Sequence, residues 1–161
     1  MRLKVVILDL DRTLWDHSDV SSTAPPFRRV NDRTIIDAEG AKIRLHECVR
    51  DFLREIRKRG VALAVASWNL PGPAEAALQA FGLLKFFDEI VIEPHPYKER
   101  MIGKILKRLE ARPEEAVFID DNPDIVERVK RFYPELNVLL YWVDVNSFCG
   151  LAERLLGGDE G

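Results

Sequence analysis

A mainly parallel five-stranded sheet covered on both faces by helices, an α/β fold in three layers, is what this 161-residue sequence predicts. Three observations predict it. Short apolar runs alternate with amphipathic stretches of about 10–15 residues, the pattern of βαβ units rather than of hairpins. The first run, Val5-Val6-Ile7-Leu8, has no polar member, as a strand buried on both faces requires. Two separate runs end in a pair of aspartates, Asp9/Asp11 and Asp120/Asp121, at the strand ends where open parallel sheets collect their sites. The length suits one domain with a substantial core. No repeat divides the chain, and residues 1–161 read as one domain with an insertion at about 16–46.

The elements follow in order. Val5 to Leu8 is the first strand. Residues 47–59 place Val49, Phe52, Leu53 and Ile56 on one helical face, and Gly60 ends that helix. Val61 to Ala66 is a second buried strand; Pro71 and Pro73 open a helix that runs to Phe81 before Gly82. Residues 87–92 form a strand, 99–109 a helix, 116–119 a strand, 123–132 a helix, 137–142 a strand and 146–156 a final helix. The closing Gly-Gly-Asp-Glu-Gly is a frayed tail. Between Asp16 and His46 the alternation breaks. Pro25-Pro26, the runs at 27–30, 34–36 and 43–45, and turn signals at Asn31-Asp32 and Glu39-Gly40 read as a β-hairpin or three-stranded flap. Its Arg28 and Arg29 could reach an anionic substrate.

Composition narrows the function classes. A net charge of −3 creates no field that would recruit nucleic acid or an anionic membrane. The N-terminal apolar run is short and interrupted by Asp9, unlike a secretory signal. No stretch approaches the roughly 20 apolar residues of a membrane span, so a cytoplasmic location is expected. Cys48 and Cys149 lie in separate amphipathic patterns and read as buried free thiols of a reducing compartment. Trp15 and Phe27 read as wall or core residues. A homodimer is left open.

The chemistry sits in residues 9–15, Asp-Leu-Asp-Arg-Thr-Leu-Trp. Two carboxylates one residue apart repel and lose hydration unless a cation lies between them, and a small hard cation such as Mg²⁺ prefers such oxygens. This Asp-x-Asp-x-Thr after the first strand resembles the haloacid dehalogenase superfamily. Three further stretches fit its motifs in order: Ser67 after the second strand, Lys98 after the third, and Phe118-Ile119-Asp120-Asp121 at the fourth. Within the superfamily the chain most resembles the small magnesium-dependent phosphatase-1 group. It departs at Trp68, where that group tends to carry Arg.

The resemblance implies an Mg²⁺-dependent phosphatase with Asp9 as nucleophile and Asp11 as general acid and base. Ser67, Lys98 and the backbone amides after Asp9, that of Leu10 first, would bind phosphate, with Trp68 beside them. Asp9, the Asp11 carbonyl and one of Asp120 and Asp121 would hold the metal. The resemblance favours Asp121 as ligand, with Asp120 aiding the metal shell or Lys98. Small phosphorylated metabolites such as sugar phosphates are the expected substrates, and a phosphoprotein is the alternative.

Overall fold

The computed structural model describes residues 2–157. Five parallel strands form the sheet: β1 (Val5–Leu8), β5 (Ala62–Trp68), β6 (Glu89–Glu93), β7 (Ala116–Asp120) and β8 (Asn137–Leu140), in the spatial order β6-β5-β1-β7-β8. Alternation along each strand sorts the core into two layers. Val6, Leu8, Leu63 and Val65 face α1 (Val49–Lys58), α2 (Pro71–Ala80) and α5 (Leu151–Leu156). Val5, Ile7, Ala64 and Phe118 face α3 (Lys98–Arg108) and α4 (Pro123–Phe132). The expected fold class is therefore the one observed.

The chain leaves β1 toward β5 and β6, then returns across it to β7 and β8. That reversal opens a crevice beyond the C-terminal ends of β1, β5 and β7. Leu8 pairs with Val65 on one side and Ile119 on the other. One residue further along, Asp9 therefore falls beside Ala66 and Asp120.

The insertion is a three-stranded antiparallel sheet of β2 (Arg28–Asn31), β3 (Thr34–Ile36) and β4 (Lys42–Arg44). Ile35 and Ile43 are fully buried in the α1/α2/α5 layer. The Pro25–Pro26 peptide is cis. Arg29 pairs with Asp32 at 2.9 Å, its guanidinium lies against Gly82 beyond α2, and Arg50 of α1 donates to the carbonyls of Asp32 and Phe81. The little sheet thus lies along the helical flank instead of over the strand ends.

Two expectations need correction. Cys48 and Cys149 form a disulfide with a Cα separation of 5.1 Å across 101 residues of sequence. They are half-buried and exposed, not free buried thiols. Each immediately precedes a turn into a helix, Cys48 into α1 and Cys149 into α5, and these two helices pack together. That proximity lies within disulfide reach, and it removes the free-thiol argument for a reducing compartment. The last helix starts at Leu151, not near 146, because Gly150 takes the left-handed conformation (φ 75°) and Val145 turns back onto Tyr141. All but the first residue of the expected glycine-rich tail lie outside the described residues. No helix of the described residues is long and apolar enough to cross a membrane.

Candidate active site

Lys98 is the centre of the crevice. It opens α3, where the helix dipole disfavours a cation, and only 1% of it is exposed. Its ammonium donates to Asp9 Oδ1 at 3.0 Å, Asp120 Oδ2 at 2.7 Å and the Ala66 carbonyl at 2.8 Å. An ammonium has three hydrogens, and all three are used. Burial works against the charged ammonium, but the negative charges of Asp120 and Asp9 outweigh it and hold the pKa above the usual lysine value.

Ligand oxygens of Asp9, Asp120 and Asp121 lie within 4.8 Å of one another. Burial pushes Asp9 up to about 6, with Lys98 opposing and Asp121 adding to the rise. Burial and then the charge of Asp9 raise Asp120 to about 6, and burial and then Asp120 raise Asp121. Both oxygens of Asp120 are engaged, Oδ2 by Lys98 and Oδ1 by the Asn122 amide at 2.9 Å. Asp121 meets only a long contact of 3.4 Å from Thr13 Oγ1. That hydroxyl donates more closely to Asp9 Oδ2, at 3.0 Å. Three carboxylates against one ammonium leave two uncompensated charges, and all-oxygen donors suit a hard divalent cation.

Ser67 sits at the end of β5 with 1% exposure, and its Oγ is the one buried side-chain polar atom without a partner among the described residues. A buried hydroxyl left unpaired is costly. It lies between Ala66, whose carbonyl holds Lys98, and Trp68, which lines the cavity over the carboxylates. Ser67 itself is not among the residues that line that cavity.

That cavity, of about 260 Å³, is lined by Asp9, Asp11, Lys98, Asp120 and Asp121, with Trp68, Arg12 and Ser18 among its other walls. The structure therefore gathers Asp9, Asp11, Trp68, Lys98, Asp120 and Asp121 in one place. Leu10 is fully buried behind the loop, and its carbonyl accepts the amides of Thr13 and Leu14. No residue of β2, β3 or β4 lines the cavity, so Arg28 and Arg29 do not reach it.

Several contributors escaped the sequence reading. Asp11 Oδ1 accepts the indole N–H of Trp15 at 2.8 Å and the Val20 amide at 3.1 Å, while Oδ2 accepts the Asn69 side chain at 2.6 Å. Burial raises the Asp11 carboxyl, with Trp15 and Val20 opposing. Trp15 is buried, as expected of a core residue, but a buried indole N–H needs an acceptor, and that requirement was the available signal. Asn69 was signalled only by standing two residues after Ser67. Arg12, at φ 65°, is an exposed cation at the cavity wall with no ion-pair partner among the described residues. A non-glycine residue held there costs on the order of 1 kcal/mol, and its N–H bond to the His17 carbonyl at 3.1 Å helps hold the turn.

Known proteins resemble this chain over most of its length. The family model described as Acid Phosphatase matches residues 2–155. Human Magnesium-dependent phosphatase 1 is 33% identical over 93 residues, covering 56% of this chain and 52% of that protein. Pyrophosphatase PpaX of Bacillus cereus is 29% identical over 114 residues, 66% of this chain and 50% of that one. The chain thus spans about half the length of these curated relatives. Among solved structures, the N-terminal part of a Bacteroides fragilis protein, containing a phosphatase domain complexed with Mg, superposes with a TM-score of 0.66 at 21% identity. That match covers 96% of this chain and 39% of the other. Because the family match spans nearly the whole of the described parallel sheet and its helices, the chain belongs to the acid phosphatase family.

Proposed function

We propose that this protein is an Mg²⁺-dependent phosphomonoesterase that hydrolyses small phosphorylated compounds, sugar phosphates among them, through an aspartyl-phosphate on Asp9. One observation carries the reading: Asp9, Asp120 and Asp121 converge, with the buried Lys98 ammonium bonded to Asp9 and Asp120. Asp9, Asp121 and the Asp11 carbonyl would hold the cation, since Asp120 is already committed to Lys98 and Asn122. The names of the human relative and the Bacteroides fragilis structure support magnesium as that cation. When bound, the ion polarises a phosphoryl oxygen and screens the substrate from the carboxylates.

The residues divide the remaining work. Lys98 and Thr13 hold the two oxygens of Asp9, which orients the carboxylate for in-line attack. An Asp9 oxygen bonds to phosphorus as the bond to the leaving alcohol oxygen breaks, and Asp11 gives that oxygen its proton. Water then attacks phosphorus, Asp11 takes a proton from it, the bond to Asp9 breaks and inorganic phosphate leaves. A carboxyl raised by burial suits a group that must give up and recover a proton. Ser67 and the amides from Leu10 onward take the non-bridging oxygens, and Lys98 offsets charge from behind. Positioning and electrostatics supply most of the catalysis in such transfers.

The test is hydrolysis of an aryl phosphate by wild-type and Asp9→Asn protein, each with Mg²⁺ and with chelator. Turnover confined to metal-loaded wild type supports the reading; turnover by folded Asp9→Asn would falsify the nucleophile assignment. A phosphoprotein substrate is the second reading. It is favoured by the absence of β2–β4 from the cavity walls and by Trp68, about half exposed, on its lining. Comparing phosphopeptides with sugar phosphates separates the two.

A further inference from the structure

The cavity over the carboxylates continues past Asp11 and Trp68 into a second room of about 360 Å³. Ser18, Asp19 and Ser21 form one wall, and Trp68, Leu70 and Pro94 the other, with Asn69 beneath Asp11. No lysine or arginine lines it among the described residues. Arg12, the unpaired cation, opens instead onto the first room with Asp121 and Asn122.

We infer that this second room receives the alcohol part of the substrate and selects one with a flat apolar face and no second anionic group, Trp68 being the platform and Asp19 the excluding charge. The inference rests on the phosphomonoesterase reading above. Asp11 borders both rooms, so a leaving oxygen that takes its proton places the alcohol on the far side of it. There Trp68 and Leu70 are 51% and 49% exposed, leaving apolar area for a ring to cover, whether an aromatic ring or the face of a sugar. Asp19 stands at a fixed offset from Asp11. Its Oδ1 takes the Ser21 amide at 3.0 Å, while the neighbouring Val20 amide holds Asp11 at 3.1 Å. Oδ1 also accepts the Ser21 hydroxyl, and Oδ2 remains for a substrate hydroxyl. With Asp11 protonated to serve the leaving oxygen, a phosphate or carboxylate on the leaving group would meet the Asp19 carboxylate and no cation, and discrimination by like charge is an effective filter. Trp68 sharpens the point, because a guanidinium at that position would invite a second anion.

The experiment measures kcat/KM of the full chain with Mg²⁺ on phenyl phosphate, glucose 6-phosphate, 2-phosphoglycolate and inorganic diphosphate. The better of the first two is expected to exceed both of the last two by about tenfold or more; which of the two wins distinguishes an aromatic ring from a sugar. Trp68→Ala should lower the ratio of the favoured substrate to diphosphate about fivefold, chiefly through KM. Asp19→Asn keeps the Oδ1 acceptor for Ser21 and should lower the same ratio about fivefold by raising turnover of diphosphate. Preference of wild type for diphosphate or phosphoglycolate overturns the inference alone, as does a ratio that neither variant moves. No turnover of any probe by folded, metal-loaded protein sinks the phosphatase reading and this inference with it.

Discussion

The side-chain amide of Asn69 donates to Asp11 Oδ2 at 2.6 Å, and its orientation is set because Asn69 Oδ1 accepts the Leu70 N–H at 2.7 Å. With Trp15 and Val20 on Oδ1, the proposed acid and base is held by three donors from three parts of the chain. Trp15→Phe removes one donor and keeps a large ring in the core. We expect kcat to fall about tenfold, the effect of one hydrogen bond to a charged group. The loss should be larger for an alkyl phosphate, whose leaving oxygen needs the proton, than for a nitrophenyl phosphate. Equal losses on the two substrates would refute an orienting role.

Lys98 is the counter-charge of two buried carboxylates at 3.0 and 2.7 Å. Removing one partner of a buried ion pair leaves an uncompensated charge, at a cost of about 3–5 kcal/mol. Urea unfolding of Lys98→Met should show a loss of that order. Adding Asp120→Asn to it should restore part of the loss, since the two residues share one network. A double variant no more stable than the single one would mean that Lys98 acts mainly by packing.

Asp37 ties the start of the insertion to its turn. Oδ2 accepts the Ala24 amide at 2.8 Å, and Oδ1 accepts Glu39 and Ala41 at 3.0 and 2.7 Å. The bond from Ala24 leads the causes that hold its carboxyl below the usual aspartate value, against an opposing push from burial. A folded-state pKa below the unfolded one contributes stability that is present above the unfolded value of 3.8 and is lost as pH falls through the folded value. Amide exchange of β2–β4 should therefore accelerate below about pH 3.8 in wild type. In Asp37→Asn that step should vanish and exchange should already be fast at pH 7, because the new amide nitrogen cannot accept from Ala24.

The Cys48–Cys149 bond closes a loop across 101 residues of sequence. Cross-links of this kind typically stabilise by about 2–4 kcal/mol, through restriction of the unfolded chain. Cys149→Ser, or reductant on wild type, should lower the urea midpoint accordingly while leaving aryl phosphate turnover unchanged, since neither sulfur lines the cavity. Identical midpoints with and without reductant would contradict the bond.

The fold was legible because its signals are local. An apolar run such as Val5–Leu8 announces a doubly covered strand by itself, and Pro123 after Asn122 marks the start of α4, where the Asn122 side chain caps the Asp124 and Ile125 amides. The gathering of Asp9, Lys98 and Asp120 was legible for a related reason. Parallel order and strand register bring their ends together, whatever the helices between them do.

Long-range pairings of side chains carry no such signature. The place of the insertion was decided by where Ile35 and Ile43 could be buried, and that was the helical flank. The cysteines met because α1 and α5 pack side by side, and the grip of Trp15 and Asn69 on Asp11 depends on rotamers that only packing selects. By itself the sequence determined the layers, the strand ends and the identity of the charged groups, since hydrophobic period and residue chemistry are properties of short segments. Only the tertiary structure decided which oxygens Lys98 donates to, which carboxylate is left without a close donor, and that a second room opens beside Asp11. Those depend on distances of a few ångströms between residues far apart in the chain, set by the joint packing of all the elements.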